Sequence, residues 1–99
     1  MNIRVGTLAV VKKSTAICAV DELGVCYELY ELEGRPGYSF VFESGGYDGF
    51  SPDDVEAFLE VTDVVVPSVA SYEFSNVTQL KQDYRRGRFA EAFPARARA

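Results

Sequence analysis

The stretch GYSFVFESGGYDGFS, residues 37–51, carries Tyr38, Phe40, Phe42, Tyr47 and Phe50 among four glycines. In the segment YSFVFE the residues Tyr38, Phe40 and Phe42 alternate with Ser39, Val41 and Glu43, the period of two that a β-strand requires. The phenylalanine face is the expected core. SGG then reads as a tight turn and YDGFS as the return strand, with Gly45, Gly46 and Gly49 expected to supply positive φ for a hairpin and a bulge. A phosphate-cradling loop is the weaker reading, because such loops join a strand to a helix, whereas this one joins two strands and carries Glu43 and Asp48.

Working back toward the N-terminus, GTLAVVKK, STAICAV and VCYELYELE read as further strands, separated by DELG and closed by the turn GRPG. VCYELYELE is apolar on both faces, with Val25, Tyr27 and Leu29 on one and Cys26, Tyr30 and Leu32 with Glu28 on the other, which marks a central or bent strand. Working forward, the period changes. Ser51 before Pro52, Asp53 and Asp54 is an N-cap, a proline at the first helical position and two acids at the positive end of the helix dipole. Val55, Phe58 and Leu59 complete a helix near residues 52–60. VTDVVVP and VASYEF read as later strands. A C-terminal helix near residues 77–86 follows, with the stripe Val77, Leu80 and Tyr84 and with Gly87 as its cap, and RFAEAF forms a turn that docks Phe89 and Phe93.

Several short strands with a brief helix before a late strand resemble the SH3-like barrels in element order, over about residues 5–66. The resemblance implies a small antiparallel barrel and nothing more. The chain has no tryptophan and no ALYDY-type segment, so proline-rich peptide recognition and its residues are not carried over. The expected fold class is therefore α+β, mostly β. It is read as a single domain over residues 1–93, with a barrel body over about 3–75, a helical segment over 76–93 and a frayed tail at 94–99.

The 99 residues are 47% hydrophobic and 13% aromatic, the composition of a chain that buries a core. The apolar run near the N-terminus, Val5 to Val11, is too short for a secretory signal and no window spans a membrane, so a cytoplasmic protein is expected. Cys18 and Cys26 read as reduced thiols. The absence of histidine and of any CxxC spacing points to no metal and no cofactor.

That absence also argues against an enzyme, because histidine is the commonest proton carrier near neutral pH. Asp53 and Asp54 are adjacent on a helix and do not face each other. Ser14 beside Lys12 and Lys13 reads as a solvated turn rather than an activated nucleophile.

Charge is uneven: residues 1–75 hold 13 acids and 4 bases, whereas residues 76–99 hold 2 acids and 6 bases. Tyrosine hydroxyls prefer water, so the candidate site is a tyrosine-rich acidic rim of Tyr30, Tyr38, Tyr47, Asp48 and Glu43 that binds a protein partner. Self-pairing of the edge strand VTDVVV into a homodimer is included. One alternative is an acidic inhibitor or immunity-type protein that blocks a nucleic-acid enzyme. Another is nucleic-acid binding by Lys81, Arg85, Arg86 and Arg88, which the negative whole-molecule charge disfavours.

Overall fold

Alternating apolar residues and turn glycines build four consecutive antiparallel strands in a computed structural model that describes residues 2–93. The strands are β1 (Thr7–Val11), β2 (Leu23–Leu32), β3 (Arg35–Phe42) and β4 (Tyr47–Phe50). The helix α1 (Pro52–Phe58) leads directly into β5 (Leu59–Val65), which returns beside β1. The sheet order is β4-β3-β2-β1-β5. The short helix α2 (Pro67–Ala70), the helix α3 (Val77–Arg85) and a 3-10 turn at Ala90–Ala92 complete the described chain.

The sheet is not a closed barrel: β4 and β5 are its two edges. The physical reason lies in β3, where Phe40, Val41 and Phe42 are all fully buried although successive side chains point to opposite faces. A barrel has one interior, whereas this sheet has two buried faces and is a middle layer. Its first face packs Phe40, Phe42, Cys26, Val11 and Phe50 with Val55 of α1. Its second face packs Val25, Tyr27 and Val41 against Val69, Leu80, Phe89 and Phe93. On the first face Phe50 meets Phe40 edge-on at 5.9 Å between centroids, a favoured aromatic geometry.

α1 starts as its sequence dictates. Ser51 Oγ accepts from the Asp54 backbone N–H at 3.1 Å, and Asp54 Oδ2 accepts from the Ser51 N–H at 3.4 Å, a reciprocal capping box. The helix stops at Phe58, so Leu59 and Glu60 belong to β5. α3 occupies its expected place, capped by Asn76 Oδ1 on the Gln79 N–H at 2.8 Å and followed by Gly87 at φ 84°. Leu80 is buried and Tyr84 half-buried, while Val77 is exposed.

Two expected strands are absent. STAICAV forms a loop in which Thr15 Oγ1 accepts from the Ile17 and Cys18 backbone N–H groups, an alternative to a strand ladder that Ser and Thr side chains offer. VASYEF opens with the helical turn after Pro67 and continues without a strand. Its buried Tyr72 meets Phe89 at a tilt, 5.0 Å between centroids, and donates to Asp83 Oδ2 at 2.8 Å. The β2–β3 turn is Glu33–Gly34, not GRPG: both residues have positive φ, 53° and 78°, and Arg35 to Gly37 already belong to β3. That pair of dihedrals suits a two-residue hairpin. Of the three loop glycines only Gly45 has positive φ. Gly46 instead makes room for a carbonyl, since a Cβ there would stand 2.6 Å from Ile17 O.

Cys18 and Cys26 are free and buried. Burial pushes the Cys26 thiol from 9.0 up to about 12, so it stays protonated at neutral pH. Among the described residues no helix is long and apolar enough to cross a membrane. The tail expected to fray, residues 94–99, lies outside the described residues.

Candidate functional site: the far end of the β2–β3 hairpin

A register shift in β2 creates the site. Cys26 pairs with Phe40, but the next partner of β3, Ser39, is opposite Glu28, leaving Tyr27 as the extra residue of a bulge. A one-residue insertion inverts the facing of everything after it. Leu29 therefore pairs with Tyr38, and Tyr30 with Gly37. The face shared by Val25, Tyr27 and Leu29 in a regular strand is broken at the bulge.

Beyond it, Glu28, Ser39 and Gly49 form one row across three strands, because Ser39 pairs with both Glu28 and Gly49. Ser39 Oγ donates to Glu28 Oε1 at 3.0 Å. In the neighbouring row the Tyr30 ring covers Gly37, where an added Cβ would stand 2.2 Å from ring atoms. Its hydroxyl reaches over Gly49, where a Cβ would stand 2.5 Å from Oη. Both glycines are required by this close approach, since any side chain there would displace the ring.

The surroundings are acidic. Asp48 is exposed and accepts from the Gly49 N–H at 2.8 Å. Burial raises the Tyr30 hydroxyl pKa, and the charges of Asp48, Glu28 and Asp54 push it in the same direction. Deeper in the sheet, Tyr27 meets Phe74 at a tilt, 5.2 Å between centroids. Burial lifts its hydroxyl to about 12 against the opposing hydrogen bond with Ser39. Beside the Tyr30 ring lies an opening of about 430 Å³ lined also by Leu32, Glu33, Arg35, Pro36 and Ser51.

The expected rim is divided by this geometry. Tyr30, Tyr47 and Gly49 share the second face by register, whereas Asp48, between the last two on β4, is opposite Phe40 and so faces the first side from the exposed edge strand. Tyr38 belongs to the other face, opposite Phe50 and packed on the phenylalanine core. Glu43 closes the sheet: its Oε1 accepts from the Leu23 N–H at 2.7 Å, and its carbonyl accepts from the Tyr84 hydroxyl. Tyr47 is half-buried with Lys81 Nζ 5.8 Å from its ring centroid. A cavity of about 280 Å³ lies beside this pair, lined by Val41, Leu80 and Tyr84.

The C-terminal bases are spread out. Arg88 stands 5.3 Å from the Tyr72 ring centroid and donates to the Ser68 carbonyl. Arg85 and Arg86 are exposed at the end of α3. Glu28, Gly37 and Gly49 lie outside the rim expected from sequence, and the only sequence signal for them is the placement of glycines on strands neighbouring a tyrosine. Among the described residues no group of three or more Cys, Asp or Glu side chains is arranged to hold a metal. Comparisons with protein-family models, curated proteins and solved structures gave no match for this chain.

Proposed function

We propose that the chain is a small protein-binding module whose contact surface is the far end of the hairpin, centred on Tyr30 and flanked by Tyr47 and Asp48. The observation that carries this reading is the seating of the Tyr30 ring across Gly37 and Gly49. An aromatic held against a sheet offers a large contact area with little rotamer freedom left to lose, the property of an interface anchor. Exposed Leu32, 67% accessible, extends the same end of the hairpin.

The test compares proteins retained from host lysate by the wild type and by Tyr30→Leu, with each retained species purified and remeasured. The expected result is a discrete protein whose affinity falls at least about tenfold in Tyr30→Leu while the melting temperature is unchanged. Equal affinity for the two forms overturns the reading.

A second reading is favoured by the excess of 13 acids over 4 bases in residues 1–75: an inhibitor that covers the basic site of a nucleic-acid enzyme. It expects an association rate that falls steeply as salt rises. A rate insensitive to salt removes it.

A further inference from the structure

Resting on the protein-binding reading above, we infer that the Tyr30 platform is a seat for an arginine side chain of the partner, stacked on the ring and paired with the Glu28 carboxylate. The ring has its inner side on Gly37 and Gly49 and is half-buried as a whole, and the opening beside it gives access from the hairpin end.

Three of the chain's own aromatics hold a cation over the ring: Phe58 under Lys13 at 5.6 Å, Tyr47 under Lys81 and Tyr72 under Arg88. Among the described residues Tyr30 carries none, although acidic side chains act on it. Glu28 shares its face two residues earlier on β2, and Asp48, on the other face by register, adjoins in sequence the glycine beneath its hydroxyl. Arg35 lines the same opening and opposes an incoming cation, but Glu33 lines it too.

Arginine fits better than lysine. A planar guanidinium stacks on an aromatic face while its edge donates to a carboxylate, whereas an ammonium is a strongly hydrated point charge. Glu28 Oε1 already receives the Ser39 hydroxyl, which orients the carboxylate and leaves Oε2 for the guest.

The experiment titrates the full chain, labelled with ¹⁵N and with ¹³C in the tyrosine rings, with acetyl-Gly-Arg-Gly-Arg-Gly-amide and with the same peptide carrying citrulline in place of arginine. Saturable shifts at the Tyr30 ring and at the Glu28, Gly37 and Gly49 amides are expected for arginine only. Affinity should drop about threefold to fivefold in Tyr30→Leu and in Glu28→Gln and persist in Tyr30→Phe, which keeps the ring and acts as the folding control. Shifts spread over Asp53, Glu60 and Asp63 with a silent Tyr30, or equal shifts from the citrulline peptide, overturn the seat. If such a silent ring accompanies a purified protein partner that Tyr30→Leu still releases, the arginine seat fails and the protein-binding reading stands. If Tyr30→Leu changes neither, both fail.

Discussion

The two ends of the β2–β3 hairpin have opposite surroundings. At the near end Gly24, Val25, Cys26, Val41 and Phe42 lie between two packed faces and are buried. At the far end Leu29 and Leu32 are 48% and 67% accessible, and a tyrosine lies against glycine instead of under a helix. Both ends contain a glycine crowded by an aromatic ring, so the pair separates two uses of the same device. Gly24 makes room for Phe42 inside the core, and Gly37 makes room for Tyr30 at the surface. In the first case a displaced ring has nowhere to go; in the second it has solvent to move into, but only once a side chain pushes it off its seat.

The sharpest way to test the contrast is to empty the near end. Phe40→Ala removes a fully buried ring and should cost about 3–5 kcal/mol in chemical denaturation. A cost below about 1 kcal/mol would mean that the first face is not the main core.

Next come the glycines. Gly24→Ala places a Cβ 2.6 Å from the buried Phe42 ring and should cost about 1–3 kcal/mol by overpacking. Gly37→Ala creates a closer approach, 2.2 Å, yet should cost under about 1 kcal/mol because the half-buried Tyr30 ring rotates away. Equal costs would erase the distinction between the two ends. Loss of Tyr30 ring contacts to strand protons in NMR spectra of Gly37→Ala would sharpen it.

Alkaline pH probes the boundary between the ends. Burial lifts the Tyr27 hydroxyl from 10.0 to about 12 and the Cys26 thiol from 9.0 to about 12. Both folded values are raised, so their contribution to stability is fully present below about pH 9 and is lost as pH climbs toward about 12. Denaturation midpoints should decline across that window. Tyr27→Phe should remove on the order of 1 to 2 kcal/mol of the decline; an unchanged slope would show that Tyr27 ionises as freely in the fold as in the open chain.

The smallest effect belongs to the hairpin tip. Leu32→Ser should alter stability by no more than about 0.5 kcal/mol. A larger loss would show that the tip is covered in solution.

How much of this was legible depends on how local the cause is. The N-cap at Ser51 with Pro52 behind it and the glycine cap at Gly87 are each settled within a few residues, and α1 and α3 start where their sequences put them, although α1 ends two residues early at Phe58. The phenylalanine alternation of residues 38–42 likewise identified the first face. No strand forms at STAICAV or VASYEF, since apolar content alone does not separate a strand from a packed loop: Cys18 and Tyr72 are buried without a strand around them. Of the site, Tyr30, Tyr47 and Asp48 were legible as wettable residues near turns, whereas Tyr38 and Glu43 make contacts within the fold.

By itself the sequence determined the mostly-β class, the helix boundaries near their caps and which aromatics seek a core, because these follow from side-chain chemistry and backbone preferences over short spans. Only the tertiary structure decided that the sheet stays open between two layers, since closure depends on which residues from the distant C-terminal third cover Val25 and Val41. It also decided where Tyr30 lies. A single extra residue at Tyr27 inverts the facing of the strand beyond it, and a bulge is set by the pairing of two strands, which no stretch of one strand encodes.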